Sequence, residues 1–278
     1  MDMLKIIEAR TSVRAYSNQV VEADKQKELM DFLANNNIGP FGNEVRFDLV
    51  DMTGKDLSQL KALGTYGVIT NAHIYLAGAV AADKNNMEDF GYCMEGAILK
   101  ATELGLGTCW LGGFLNRSEF GEKIELLPSE ILPAVTPLGY RASRTTVRDR
   151  MIRKLVNSSS RKPFEELFFL VDNKTPLSSG GASTYEPVLA AVRMAPSASN
   201  KQPWRIIKDK QQDTFHLFLD EDKAYSQRFP GVELQRLDMG IAMCHFALAA
   251  QAKGLKGKWT VKPPILDVGN WVYIASWM

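Results

Sequence analysis

The 278-residue chain has little of what marks a secreted, membrane-bound or nucleic-acid-binding protein. Its three cysteines have neither metal-ligand spacing nor a disulfide framework, which predicts a reducing, cytoplasmic environment. The formal net charge is only +1, so no overall field attracts nucleic acid or an anionic membrane. The longest apolar stretches, near residues 74–82 and 241–250, are too short or too interrupted to span a bilayer. No long apolar run follows residues 1–5, which argues against a signal peptide.

The common catalytic patterns are missing as well. No Gly-x-Gly-x-x-Gly sequence opens a helix after a strand, so no Rossmann domain for a nicotinamide is visible. The three histidines, His73, His216 and His245, have no partner group near them in sequence and are interpreted as hydrogen-bonded structural residues. The sequence therefore assigns no catalytic residue and no metal site.

What the chain does contain is an internal repeat. Residues 89–110 and 238–259 share eight identities at a constant offset of 149 positions, without a gap. This period is far too long for a solenoid and indicates a duplicated domain. A polar segment rich in Gly and Ser at residues 172–184 is typical of a linker. We therefore predict two halves, residues 1–171 and a shorter second half, residues 185–278.

Secondary-structure patterns favour an α+β fold. Amphipathic helices are predicted at residues 22–35 and along both copies of the repeat, at 89–104 and 234–253. Strands are predicted at several places between them, including residues 45–52 and 69–77. Strands and helices mix without strict βαβ alternation, which disfavours a doubly wound parallel sheet.

The spacing of Arg10, Ser12 and Arg14 predicts an anion site. In an extended segment a period of two puts all three side chains on one side. Two guanidiniums and a hydroxyl that converge there suit a phosphate or another planar anion. The triplet alone also fits a helix C-terminus that ends in arginines, where cations complement the helix dipole.

The two halves have diverged around this segment. The first half has the arginine triplet, and the second half has nothing like it. The second half has the sequence APSASNKQPW at residues 195–204, where the first half has only GPFGN at residues 39–43. If the two segments form one site, the chain is a dimer fused into a single polypeptide, with one of its two sites lost.

Several motifs together resemble the flavin-dependent nitroreductase family. They are RTSVR at residues 10–14, GLGTCW followed by Leu-Gly-Gly at 105–113, PLGY at 137–140, RKPFEEL at 161–167 and the APSASN segment. The resemblance covers most of the chain, and it is greatest to the branch with two tandem nitroreductase-like halves. It implies a layered α/β/α sandwich, duplicated within one chain.

The resemblance also implies a cofactor, FMN, bound between segments that come from different subunits in ordinary dimeric relatives. Here these segments would come from the two halves of one chain, which predicts one FMN per chain and a protein that is monomeric. The residues implied to bind FMN are Arg10, Ser12, Arg14, Leu111, Gly112, Gly113, Arg161, Pro196, Ser197 and Asn200.

Each group of FMN has an expected partner under this resemblance. Arg10 and Arg161 would bind the phosphate, and Ser197 with Asn200 would bind the ribityl hydroxyls. Arg14 would stabilise negative charge on the reduced ring, and backbone N–H groups at residues 111–113 would reach the ring nitrogen N5.

Four further side chains have expected structural or lining roles. Gln202 and Trp204 are expected to hold the turn at Asn200 or to pack in the core. Tyr66 and Phe114 are guessed from their positions to line the substrate opening.

The implied activity is a ping-pong oxidoreductase. NAD(P)H would reduce the flavin, and a nitroaromatic, a quinone or a similar small acceptor would then take the electrons. Two alternatives stay open. The chain could be a flavin-binding storage or sensing protein with little turnover, or it could use the same fold for another oxidation or a dehalogenation.

Overall fold

The computed structural model describes residues 2–55, 57–65, 68–113, 115–143, 160–178 and 180–278, and these form an α+β fold, as predicted. The helices are α1 (Met3–Ala9), α2 (Ala23–Ala34), α3 (Leu57–Ala62), α4 (Asn86–Glu103), α5 (Arg117–Lys123), α6 (Glu186–Met194), α7 (Lys223–Ser226) and α8 (Leu234–Ala252). The strands are β1 (Val45–Asp51), β2 (Ile74–Ala81), β3 (Glu130–Ile131), β4 (Val135–Leu138), β5 (Phe168–Leu170), β6 (Trp204–Lys208), β7 (Phe215–Leu219), β8 (Trp259–Thr260) and β9 (Val272–Trp277). None of the helices within the described ranges combines the length and the apolar character that a membrane span requires.

The first sheet is antiparallel and is covered on both faces. Strand β1 pairs with β2 along its whole length, and the other edge of β2 takes both β3 and β4. Alternate residues of β2 point in opposite directions. Leu76 and Val80 join the core that contains Phe90 of α4, whereas Tyr75 packs edge-on against Phe120 of α5. This half therefore has the predicted α/β/α layering.

The second sheet has the order β5-β6-β7-β9-β8 and differs from the prediction in two ways. Strand β5 precedes the predicted linker, yet it pairs in parallel with β6, so the boundary drawn at residue 171 follows a strand of the second sheet. On the outer face of this sheet irregular chain packs through Leu266, Val268 and Trp271, where a helical layer was predicted. Pro263 and Pro264 disfavour a helix there, because proline lacks the N–H that a helix interior needs.

The predicted linker takes part in the core. Leu177 is 2% exposed and Ala182 is 1% exposed, and both belong to the main hydrophobic cluster. The Gly and Ser residues predicted a linker, and most of the segment is indeed exposed, but these two apolar side chains anchor it in the core.

One predicted strand begins later than expected. The strand predicted at residues 69–77 begins at Ile74, because Thr70 instead donates its N–H to the Arg14 carbonyl and accepts from the Tyr16 N–H. Asn71, with φ of 60°, then turns the chain into β2. The first repeat helix ends with a glycine cap, since Gly105 follows α4 with φ of +79°.

The two repeat helices, α4 and α8, pack against each other between the sheets. Their contact is closest at a pair of glycines that occupy matching positions of the repeat. A Cβ added to Gly91 would overlap the Leu237 carbonyl oxygen, and a Cβ added to Gly240 would overlap the Glu88 carbonyl oxygen. These contacts are reciprocal, because Glu88 and Leu237 are themselves matching positions of the repeat. The bare backbones thus set the distance between the halves.

This close packing predicts that Gly91→Ala or Gly240→Ala destabilises the protein. We expect a loss of about 1–3 kcal/mol in the free energy of unfolding, because the added methyl group must push the helices apart. Urea denaturation followed by tryptophan fluorescence measures this loss.

Gly96 is the matched control in the same helix, since a Cβ at Gly96 meets nothing within 4 Å. Gly96→Ala should stabilise the protein by about 0.5–1 kcal/mol through helix propensity alone. Equal effects of the substitutions at Gly91 and Gly96 would contradict the close approach of the helices.

Candidate functional site

A cavity of about 310 Å³ lies between the N-terminal segment, α8 and the loop before β6. Its volume falls in the range of small-molecule sites. All ten residues that the sequence singled out line it: Arg10, Ser12, Arg14, Leu111, Gly112, Gly113, Arg161, Pro196, Ser197 and Asn200. The arginine segment of the first half and the Pro-Ser-Asn loop of the second half therefore face one common space.

The arginine segment is extended, as its period of two predicted. It follows α1, whose C-cap is Arg10, and it is held between two neighbours: Val13 donates to the Thr108 carbonyl, and the Arg14 carbonyl accepts from Thr70. Val13 and Ala15 are buried behind the segment, while Arg10, Ser12 and Arg14 reach the cavity. The alternative is also partly right, because Arg10 does end a helix.

Arg10 is held beside a buried carboxylate. Its side chain is 8% exposed, and its Nε lies 3.9 Å from Glu95 Oε1, beyond hydrogen-bonding distance. Within the described part of the chain this Nε has no hydrogen-bond partner. A buried guanidinium N–H without a partner, at the wall of a cavity, fits an anionic ligand group.

Glu95 is the centre of a buried polar network that spans both halves. It is fully buried on α4, and its Oε2 accepts from Trp110 Nε1 at 2.7 Å. Its Oε1 lies 2.9 Å from Nε2 of His245, which is fully buried on α8. The other ring nitrogen of His245 lies 2.9 Å from the Ala191 carbonyl, which can only accept, so Nδ1 carries a proton. The contact between Nε2 and Oε1 is a hydrogen bond that joins the two halves.

The loop at residues 196–200 is a strained turn held by specific hydrogen bonds. Ser199, Asn200 and Gln202 all have positive φ, between 48° and 56°, which is unfavourable for residues other than glycine. The Gln202 N–H donates to Ser197 Oγ at 2.9 Å, and the Ala198 N–H donates to Asp238 Oδ1 at 2.9 Å. The predicted turn-holding role of Gln202 is thus confirmed, and Trp204 is a fully buried core residue.

Arg161 is fastened to the same turn. Its Nη2 donates to the Met194 carbonyl at 3.1 Å, and its Nη1 lies 3.5 Å from Asn200 Oδ1. Burial lowers the pKa of Arg161, and the neighbouring guanidiniums of Arg10 and Arg193 lower it further. An arginine stays charged even so, and the repulsion between these cations favours binding of an anion among them.

The glycine loop after Trp110 needs one correction. The Leu111 N–H donates to the Val135 carbonyl at 3.0 Å. It is therefore not available to a ligand, contrary to the prediction. Gly112 and Gly113 have no such backbone bond among the described residues. A Cβ at Gly112 would lie 2.8 Å from Leu234, and one at Gly113 would lie 2.7 Å from Phe229, so only glycine fits against this wall.

The similarity of the chain to a known protein family agrees with the geometry of the cavity. The family model described as "Putative TM nitroreductase" matches residues 2–250. The chain belongs to this nitroreductase family. The family predicted from the motifs is therefore confirmed. Among curated proteins, none matches the chain significantly.

A solved structure with a TM-score above 0.5 shows the same fold, and two others are similar over about half of this chain. The chain is similar to a putative nitroreductase from Thermotoga maritima MSB8, with 18% identity and a TM-score of 0.57, over 100% of this chain and 92% of that chain. A nitroreductase family protein from Clostridium novyi NT is 20% identical, with a TM-score of 0.44 over 51% of this chain and 87% of its own. An FMN-dependent nitroreductase from Clostridium difficile R20291 is 20% identical, with a TM-score of 0.41 over 51% of this chain and 88% of its own.

The chain has a second cavity, of about 680 Å³, at positions that the repeat relates to the first. Tyr92 and Trp259 line it, where Ile241 and Trp110 line the first cavity at matching positions of the repeat. Pro40 lines it as Pro196 lines the first. Within the described residues no arginine lines the second cavity, in contrast to three in the first.

Some residues around the first cavity were not singled out from the sequence. Tyr225 and Asp238 line it with polar groups, and Trp110, which also lines it, donates a hydrogen bond to the buried Glu95. Asp238 and Trp110 are identities of the repeat, which was an available signal, whereas nothing local marks Glu95. The expected lining residues Tyr66 and Phe114 lie outside the described residues.

The buried network makes Glu95 a sensitive position for stability. Glu95→Ala leaves a buried imidazole and an indole N–H without their acceptor, so we expect a loss of about 3–5 kcal/mol in the free energy of unfolding. Chemical denaturation of the cofactor-free protein measures it.

Glu103→Ala is the control on the same helix. Glu103 pairs with Lys100 at 3.0 Å near the surface, and its loss should change stability by no more than about 1 kcal/mol. If Glu95→Ala proves no more harmful than Glu103→Ala, the buried network does not support the fold.

Proposed function

We propose that this chain is an FMN-dependent oxidoreductase that uses NAD(P)H to reduce a nitroaromatic, a quinone or a similar small acceptor. The observation that carries the proposal is one cavity in which three arginines of the first half face the Pro-Ser-Asn loop of the second half. Membership of the nitroreductase family supports the reaction class.

The residues present fit the phosphate group of FMN. Arg10 offers a buried Nε without a hydrogen-bond partner among the described residues. The guanidinium of Arg161 is close enough to interact electrostatically with that of Arg10. Two guanidiniums around one dianion form short, charge-assisted hydrogen bonds. These two residues would hold the phosphate, and Ser12 beside them would bind the phosphate or the first ribityl hydroxyl.

The remaining walls fit the rest of the cofactor. Ser197 and Asn200 would bind ribityl hydroxyls, and the preorganised turn that presents them lowers the entropy lost on binding. The apolar side of α8, with Leu234, Leu237 and Ile241, would pack against a flat ring. Gly112 and Gly113 would bring backbone N–H groups close to the ring edge.

When bound, FMN supplies the hydride transfer, and the protein orients and tunes it. Arg14 would stabilise negative charge on the reduced ring, since a fixed cation at that place needs no reorganisation during the reaction. The enclosed apolar wall would exclude water from the ring.

We further propose that the two halves arose by duplication and that one site was lost. The reciprocal contacts of Gly91 and Gly240 and the arginine-poor second cavity support this view. Because both segments of the site belong to one chain, the protein would complete its FMN site as a monomer.

The first test is the flavin content and its reduction. We expect one FMN per chain in the purified protein and bleaching of the bound flavin by NADH or NADPH in stopped-flow absorbance. Two flavins per chain would overturn the loss of one site. Bound flavin that neither nucleotide reduces would favour a storage or sensing role.

The second test addresses the phosphate. Arg10→Ala should weaken FMN binding about 10- to 150-fold, because a hydrogen bond to a charged group is worth about 1.5–3 kcal/mol. Fluorescence titration of the cofactor-free protein measures the dissociation constant.

Arg46→Ala is the control variant, because Arg46 pairs with Glu130 at 2.8 Å and does not line the cavity. Its FMN affinity should equal that of the wild type. An unchanged affinity in Arg10→Ala would refute the phosphate assignment.

A further inference from the structure

The carboxyl group of Asp238 lies in the wall of the cavity with one oxygen unsatisfied. Asp238 is on α8, is 1% exposed and lines the cavity. Its Oδ1 accepts from the Ala198 N–H at 2.9 Å, whereas its Oδ2 has no hydrogen-bond partner among the described residues. A buried polar atom without a partner is rare and calls for an explanation.

Asp89, the matching residue of the repeat, shows what a purely structural role looks like. Its Oδ1 accepts from the Phe41 N–H at 2.9 Å. Its Oδ2 accepts from both the backbone N–H and the side-chain amide of Asn43, each at 2.8 Å. Both oxygens of Asp89 therefore accept hydrogen bonds from a loop, whereas only Oδ1 of Asp238 does so.

The surroundings of Asp238 favour the uncharged acid. Burial raises the pKa of Asp238 well above its usual range, and only the hydrogen bond from Ala198 opposes this rise. Because Oδ1 accepts the Ala198 N–H, Oδ2 is the oxygen that can carry a proton towards the cavity. The three cavity arginines and the Cys109 thiol face the same space from other elements.

Tyr225 of α7 is the titratable neighbour of Asp238. Burial raises the pKa of the Tyr225 phenol, the hydrogen bond with Ser199 lowers it, and the Asp238 carboxyl raises it further. Its hydroxyl lies 3.0 Å from the hydroxyl of Ser199, which is exposed. Among the described residues Oδ2 of Asp238 makes no hydrogen bond to this pair of hydroxyls.

We propose that Asp238 is a catalytic acid that gives its Oδ2 proton to the acceptor reduced in this cavity. The inference rests on the proposed function, in which the cofactor delivers a hydride to a quinone-type acceptor. As the hydride adds, negative charge develops on the acceptor oxygen. The Asp238 O–H bond breaks and its proton moves to that oxygen, which gives the hydroquinone and the Asp238 carboxylate. The carboxylate then regains a proton from water.

The test compares two oxidants of the reduced, FMN-loaded protein in stopped flow. Benzoquinone must gain protons when it is reduced, whereas ferricyanide takes single electrons and gains none. Asp238→Asn keeps an acceptor for Ala198 but has no acidic proton. We expect it to slow reoxidation by benzoquinone about 10²- to 10⁴-fold, the usual range for general acid catalysis, and to leave the ferricyanide rate within about twofold. Equal slowing of both, or of neither, overturns the proposal.

Asp89→Asn is the matched control, because Asp89 occupies the same repeat position away from the cavity. Both of its reoxidation rates should equal those of the wild type. In the wild type itself, the benzoquinone rate should fall as rising pH removes the proton, while the ferricyanide rate stays constant. A benzoquinone rate that does not change with pH overturns the proposal even if Asp238→Asn fails to fold.

The uncharged state of Asp238 can also be tested without the cofactor, through the pH dependence of stability. A carboxyl with a raised pKa in the folded state contributes stability below its unfolded pKa, and this contribution is lost as the pH rises towards the folded pKa. The free energy of unfolding of the wild type should therefore fall, relative to Asp238→Asn, as the pH rises above about 4. A difference that is constant with pH overturns the uncharged state of Asp238.

The outcomes separate this inference from the proposed function. If the wild type binds no FMN, or if neither NADH nor NADPH reduces the bound FMN, the proposed function and the role of Asp238 both fail. If the wild type turns over and Asp238→Asn keeps the full benzoquinone rate, only the role of Asp238 fails.

Discussion

The contact between α4 and α8 at Gly91 and Gly240 is the constraint on which the site depends. No side chain separates the two backbones at these positions, so the distance between the halves is fixed by main-chain atoms. The arginine segment is hydrogen-bonded to the chain that follows α4, and the loop at residues 196–200 is held by α8. A change in the helix packing would therefore move the two walls of the cavity relative to each other.

Polar groups that cross this helical interface give the site its order. The pairing of Glu95 with His245 joins the two helices, and Trp110 and Arg10 extend the network to the cavity wall. Inside a low-dielectric core such a network tolerates few arrangements, because every unsatisfied member is costly. The same logic makes the unsatisfied oxygen of Asp238 conspicuous, since its repeat counterpart has both oxygens bonded.

Much of the site could be predicted from the sequence, because it comes from short segments with strong local rules. The period of two in residues 10–14 predicted one cavity-facing side, and the motifs predicted the family. The use of the Leu111 N–H could not be predicted, since its partner Val135 lies 24 positions away and is chosen by strand geometry. The role of Glu95 could not be predicted for the same reason, because it depends on a hydrogen bond with His245 in the other half.

The sequence by itself determined the family, the α+β class and the two segments that line the cavity. These follow from local periodicity and from residue types that the backbone requires at particular places. The tertiary structure alone decided that β5 joins the second sheet, that Leu177 and Ala182 anchor the predicted linker in the core, and that Asp238 lines the cavity while Glu95 pairs with His245. Such pairings depend on chain segments far apart in sequence, which meet only when apolar burial brings the helices and sheets together.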